Sequence, residues 1–294
     1  MANGFLAFAL SVCYNAIKLE ADTHRKEGIV MENYTVINKS IHRLTTVYKD
    51  IFTTVYALKS PNGDILFDAA SYDEDVDEQI LPFLNQLNIT PETLKYIFIS
   101  HNHTDHSGGL QRLMRAFPNA CIVSGSSALQ ENYQDYTVLC PKDGDVLLDT
   151  YRVVTIPGHT VDSAALLDMR TMTLITGDCL QLYGIRGSGN WASNISLHAA
   201  HLEAVEKVRA MGVESILAAH NYEPCGYRAV GKAEVNQMLD ACVAAIQKLK
   251  QLIVDNPSLD DEQIRQLYNE PAKQLSIGVH VVAAMRNALQ QGQL

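Results

Sequence analysis

Six consecutive residues, His101-Asn102-His103-Thr104-Asp105-His106, carry four side chains that can donate an electron pair to a metal ion. They follow a short apolar run, Tyr96 to Ile99, that reads as a buried strand. In extended backbone, residues two apart project to the same side, so His101 and His103 can grip one cation. Asp105 and His106 lie where the chain turns and can reach a second. Ser107-Gly108-Gly109 then lets the backbone turn sharply into a helix. A chance cluster of surface histidines is the competing reading. It is a poor one, because these residue types squeezed between strand and helix have little structural use.

Three single residues extend the set. His159 stands in Ile156-Pro157-Gly158-His159-Thr160, Asp178 in Thr176-Gly177-Asp178-Cys179, and His220 in Leu217-Ala218-Ala219-His220-Asn221. Alone, each is an ordinary loop residue. Together, each ends a predicted strand beside small residues, which is how a site assembles on one rim of a sheet structure. Imidazole and carboxylate without thiolate suit zinc, and also iron or manganese; the histidine-rich set favours two Zn2+. Two such ions ~3.5–4 Å apart can hold a bridging hydroxide and lower its pKa, giving a nucleophile at neutral pH. Asp105 is placed to orient that nucleophile and take its proton. No Gly-x-Ser-x-Gly elbow offers a serine in its place.

The order His-x-His-x-Asp-His, Pro-Gly-His-Thr, Gly-Asp and a late His resembles the metallo-β-lactamase superfamily, and most of all its glyoxalase II, lactonase and thioesterase branch. The resemblance covers roughly residues 45–225. It implies an α+β fold, an αββα sandwich of two sheets with helices outside. It implies that His101, His103 and His159 bind one metal, that Asp105, His106 and His220 bind the other, and that Asp178 bridges. Asp68, in Leu66-Phe67-Asp68-Ala69, matches the family aspartate that orders the ligand loop without binding metal. The best-known β-lactamases place a cysteine where this chain has Asp178, and Cys179 is one residue late, so it reads as buried core. Esters, thioesters or lactones of small molecules are therefore the favoured substrates over β-lactam amides. Persulfide dioxygenases share parts of the motif but use one iron with fewer ligands. A non-catalytic metal-binding regulator would be marked by a lost ligand, and none is lost.

These residues need elements to position them. Phe52 to Leu58 and Asp64 to Phe67 flank the turn Ser60-Pro61-Asn62-Gly63 and predict a hairpin. Asp75 to Leu87 is apolar at helical spacing, with Pro82 inside it to kink it, and Thr90-Pro91-Glu92 looks like a helix start. Gly109 to Phe117 and Ser126 to Tyr133 predict helices. Cys121–Val123, Val146–Leu148, Tyr151–Ile156, Ala164–Asp168, Thr173–Thr176 and Ser215–Ala218 predict strands. Ser196 can cap a helix from Leu197 to Met211. From Gly231 onward the pattern is helical only: Val235 to Val254, Asp260 to Tyr268, Val279 to Leu289. The reading is an N-terminal extension over 1–30, a catalytic domain over 31–230 and a helical C-terminal appendage over 231–294.

Between Asp178 and the next helix, Tyr183 to Trp191 holds three glycines and the only tryptophan. This loop is a candidate pocket wall, with Trp191 as an apolar contact, Arg186 facing an anionic group, and Tyr183 or Tyr222 offering a phenol to the substrate carbonyl. His24, His42 and His201 read as surface or helix-face residues, His198 as a cap or surface residue before a pocket-lining one, and His280 as helix packing before a minor substrate contact. The net charge of -10 without a Lys/Arg cluster argues against nucleic acid. Six cysteines without a C-x-x-C pair fit a reduced, cytoplasmic protein. The apolar run Phe5 to Ile17 is too short to span a bilayer comfortably, so no membrane association is expected. A small-molecule substrate is the expected partner, and a homodimer is compatible with the sequence.

Overall fold

The computed structural model describes residues 33–181, 184, 193–222, 225–269 and 277–294. The extension over 1–30, Tyr183, Arg186 and Trp191 lie outside the described residues.

The chain forms two sheets. The first contains β1 (Tyr34–Val36), β2 (Ile41–Tyr48), β3 (Ile51–Ser60), β4 (Gly63–Phe67), β5 (Leu94–Phe98), β6 (Cys121–Val123) and β7 (Val138–Leu139), paired in that order. The second contains β8 (Val146–Leu147), β9 (Tyr151–Thr155), β10 (Ala164–Asp168), β11 (Thr173–Ile175), β12 (Ser215–Tyr222) and β13 (Gly226–Val230), in the spatial order β13-β12-β11-β10-β9-β8. One core draws on both: Ile65, Phe67 and Phe98 from the first meet Val153, Leu166 and Leu217 from the second. Ile65 and Phe67, two apart, share the inner face as the pleat requires. The outer face of the second sheet carries Val154, Leu167 and Ile216, covered by Val205 and Val208 of the helix His198–Met211 and by Met238 and Leu239 of the helix Gly231–Asp255. On the first sheet, β4, β5 and β6 pair in parallel, which requires crossovers. The segment from Asp73 to Gln86 and the helix Leu110–Ala116 supply them. The fold is an α+β, αββα sandwich.

The appendage consists of the helices Gly231–Asp255, Asp261–Asn269 and Val279–Gln290. Ile246, Leu249, Ile264, Val282 and Met285 form a core that also takes in Ile195, with Leu202 packed against it. Among the described residues, no helix is long and apolar enough to cross a membrane.

Several local expectations are corrected. The segment before Pro82 is a π-helical stretch, Val76–Ile80, with the Leu81 N–H donating to the Val76 carbonyl five residues back. Proline has no N–H to continue the ladder and crowds the carbonyl preceding it, and a widened turn relieves both. Thr90-Pro91-Glu92 starts no helix; it makes one turn, closed by Leu94 N–H to Thr90 O at 2.9 Å, because Leu94 is claimed by β5. Ser196 does not cap its helix: its N–H and that of Leu197 both donate to Gly158 O, at 3.2 and 3.0 Å.

Candidate metal centre

Every candidate ligand leaves a strand at the same rim. β5 ends at Phe98, three residues before His101; β9 ends at Thr155, four before His159; β11 ends at Ile175, three before Asp178; and β12 carries His220 itself. His103 is still extended and opens the short helix Thr104–Ser107, which lifts Asp105 and His106 to the neighbouring position. Gly108 and Gly109 let the chain pass close beneath: a Cβ at Gly108 would lie 2.0 Å from Ser71 O.

The side chains gather in two groups. In the first, His101 Nε2, His103 Nδ1 and His159 Nε2 form a triangle with edges of 3.0, 3.1 and 2.9 Å. At most one of three ring nitrogens aimed at one point can carry a hydrogen without collision, so they cannot all be satisfied by one another. A tetrahedral zinc ion would set such nitrogens about 3.3 Å apart, so the triangle fits a cation. In the second, Asp105 Oδ2 lies 3.2 Å from both His106 Nε2 and His220 Nε2. Asp178 Oδ1 lies 3.3 Å from His106 Nε2 and 3.1 Å from His220 Nε2. His106 Nε2 and Asp178 Oδ1 are buried without a hydrogen-bond partner, the state of atoms waiting for a metal. The other oxygen, Asp178 Oδ2, faces the first group, 3.6 Å from His159 Nε2.

Outer partners fix the rings. His106 Nδ1–H donates to Asp68 Oδ2 at 2.7 Å, His159 Nδ1–H to Asn194 O at 3.0 Å, and His220 Nδ1–H to Phe52 O at 2.7 Å. His101 Nδ1 meets Ser100 Oγ at 3.1 Å, and Ser100 Oγ–H donates to Asp68 Oδ2 at 3.0 Å. Each of these rings therefore turns its Nε2 inward. Asp68 is itself at φ 64, an unusual backbone state for a side-chain-bearing residue, at a site that over-determines it. Gly177, at φ +57, leaves room for Ser100: a Cβ there would lie 2.4 Å from its Oγ.

The electrostatics of the two groups differ. Burial, with His106 and His159 nearby, holds His101 well below its ordinary pKa, and burial brings His159 down to about 4. Burial opposes a charge on His220 too, yet Asp178 and Asp105 raise it to about 9. His106 is likewise raised against burial by Asp105, Asp178 and Asp68. The same pairs, working against burial, hold Asp105 and Asp178 ionised far into acid.

All seven candidate ligands and Asp68 thus converge. Tyr222 lies beside them but is fully buried, and its hydroxyl accepts Gln181 Nε2–H at 3.0 Å. Burial, then Asp178, pushes its phenol well above the ordinary value. Cys179 is buried, as its reading requires. His42 and His198 are corrections: both are buried, not surface residues, while His201 lies on a helix face that is buried. His42 stacks on Tyr34 and shares a 2.9 Å hydrogen bond with its hydroxyl. His201 packs where Gly158 has no side chain, and burial pushes it and His198 down to about 3 and about 4. Ser100, Gln181 and the carbonyls of Phe52 and Asn194 were not legible as site residues. Ser100 had adjacency to His101 as a clue and Gln181 its place three residues after Asp178; a carbonyl has no residue type to read.

Comparison with known proteins gives the family and the fold. Residues 48–220 match the family model of the metallo-beta-lactamase superfamily. The chain is 30% identical over 165 residues to hydroxyacylglutathione hydrolase 1 of Vibrio vulnificus (strain YJ016), covering 54% of this chain and 61% of that protein. It is 26% identical over 119 residues to an atrochrysone carboxyl ACP thioesterase of Aspergillus fumigatus, covering 40% of this chain and 35% of that one. Among solved structures it is similar to a metallo-beta-lactamase family protein from Thermus thermophilus, with TM-score 0.63, 16% identity and coverage of 87% of this chain and 95% of that one. Rubredoxin oxygen:oxidoreductase from Desulfovibrio gigas gives TM-score 0.59 at 14% identity, covering 86% and 75%. At such identities these structures speak for the fold alone.

Proposed function

Because the chain belongs to the metallo-beta-lactamase superfamily, we propose that it is a binuclear metal-dependent hydrolase of a small-molecule ester, thioester or lactone. The observation that carries the reading is Asp178, whose Oδ1 faces one ligand group and whose Oδ2 faces the other. A carboxylate placed this way is what a two-cation site requires.

His101, His103 and His159 would hold one cation, and Asp105, His106 and His220 the other, with Asp178 shared. Zinc suits this donor set, and iron or manganese fits it too. When bound, such a pair supplies Lewis-acid polarisation of the acyl oxygen and acidifies water toward neutral pH. The residues do the rest. Asp105, half-buried and ionised, accepts the proton of the attacking water and returns it to the leaving oxygen or sulfur. Water adds to the acyl carbon as the C–O or C–S bond breaks, so no outside reactant is needed. Asp68 holds His106 and, through Ser100, His101 in register. The hydroxyacylglutathione hydrolase and thioesterase relatives favour a thioester first.

The test is a panel of thioester, lactone, phosphodiester and β-lactam probes on zinc-, iron- and manganese-loaded protein. Thioester or lactone turnover that disappears with a chelator and returns with metal is the expected result. Turnover of the β-lactam alone, or of none, would remove the reading.

A further inference from the structure

One buried amide outside the ligand set touches three parts of the site. Gln181, 4% exposed, donates from Nε2 to Asp178 Oδ2 at 3.1 Å and to Tyr222 Oη at 3.0 Å. Its Oε1 accepts the Asn194 N–H at 2.7 Å. The orientation is unambiguous: an ionised carboxylate only accepts and a backbone N–H only donates. Both amide hydrogens are used, and so is the oxygen.

Asn194 continues the path in two directions. Its carbonyl accepts His159 Nδ1–H at 3.0 Å, and its side-chain Oδ1 meets His280 Nε2 of the appendage at 2.5 Å. The residues on either side are tied to the appendage as well. Ser193 forms a parallel bridge with Ile277, and Ile195 is buried among Ile246, Val281 and Met285. The strap 193–195 therefore has the appendage along one edge and the metal-facing residues along the other.

We infer that Gln181 is a positioning residue that locks the Asp178 carboxylate and the His159 ring to a strap held by the helical appendage. The terminal torsion of an aspartate is broad, so its two oxygens stay assigned to two groups only if something outside holds one of them. Gln181 holds Oδ2, the oxygen facing the three-histidine group. Through Asn194 it also fixes the carbonyl that sets the His159 ring. The appendage then acts on the metal centre itself, in addition to any contact with substrate.

The inference rests on the proposed metal site, so wild-type protein is measured beside the variants. Zinc affinity is read by chelator competition, and the visible spectrum is read at saturating cobalt, where a fold that is merely less stable still reports wild-type coordination. Gln181→Met keeps the length and loses every hydrogen bond. It should weaken zinc about ten- to hundredfold, the range for outer partners of metal ligands, and shift the cobalt bands. Gln181→Glu keeps the length and the acceptor for Asn194, and should recover the part of the loss that runs through the Asn194 strap. His280→Ala, at an exposed appendage position, should shift the same bands by less. Wild-type protein that holds no metal would overturn the site and the inference together. A Gln181→Met protein with wild-type affinity and an unmoved cobalt spectrum would overturn the inference alone, and an unmoved spectrum in His280→Ala would remove the appendage from it.

Discussion

The two halves of the metal centre both rest on buried histidines and hold them in different charge states. In the half made of His101, His103 and His159, burial wins, and His101 and His159 are neutral well below ordinary histidine pH. In the half made of Asp105, His106, Asp178 and His220, the carboxylates outweigh burial and hold both rings protonated. The first half can take a cation without expelling a proton from His101 or His159. The second must exchange protons for metal. Adjacent sites on one rim can therefore differ in affinity and pH response because of two carboxylates.

The strongest way to break the comparison is to remove the group common to both halves. Asp178→Ala should lower turnover more than about a hundredfold, beyond the loss usual for an outer partner. Metal content should fall from about two ions per chain toward one, because two cations close together lose their shared compensation. Fold stability should change far less. Elemental analysis beside kinetics decides it, and near-normal turnover would mean that Asp178 does not link the halves.

Acidification sharpens the comparison. His220 in the metal-free protein carries its proton below about pH 9. Below that point each entering cation must expel the proton, so affinity falls with pH, about tenfold per unit for one proton. His159 is neutral above about pH 4, so it adds no such cost between pH 8 and 6. A two-site zinc titration at these pH values should show the steeper pH slope at the site of Asp105, His106 and His220, whose two raised rings must each lose a proton. Two sites that weaken in parallel would erase the distinction.

Asp68 tests whether the halves are also joined from outside. Its Oδ2 receives His106 Nδ1–H and Ser100 Oγ–H, and Ser100 in turn meets His101. Asp68→Asn should weaken zinc about ten- to hundredfold at both sites. Weakening of the His106 site alone would show that the Ser100 arm carries nothing.

Much of this arrangement was legible because its parts are local. The His101–His106 run declares itself by spacing, and Ala164–Asp168 and Cys121–Val123 are strands with the expected ends. What escaped depends on contacts distant in sequence. β2 hides its pattern because it buries His42 and Arg43, the latter stacked 3.9 Å over Tyr227 of β13. β13 is a short, half-buried edge strand that no periodicity marks. His198 and His201 are polar by residue type, yet they are buried on their helix along with Ala204, Val205 and Val208. Gln181 looks like any loop glutamine until the strap at Asn194 is brought beside it.

The smallest effect expected comes from a change confined to one half. Gly158 precedes His159, and its carbonyl takes the N–H groups of Ser196 and Leu197. A Cβ on it would lie 2.9 Å from both Cβ and Nδ1 of His201, atoms too near the helix backbone to swing away. Gly158→Ala must therefore push the His159 loop off the His198–Met211 helix, an overpacking that costs about 1–3 kcal/mol of fold stability. The displacement reaches the three-histidine half through His159 and leaves Asp105 and His106 on their short helix and His220 on β12. Zinc titration of the variant should weaken one site by about a few-fold, in keeping with a strain of that size, and leave the proton-exchanging site at its wild-type affinity and pH slope. Equal losses at both sites would mean that the halves move as one body, and their different charge states would then tune a single, coupled binding event.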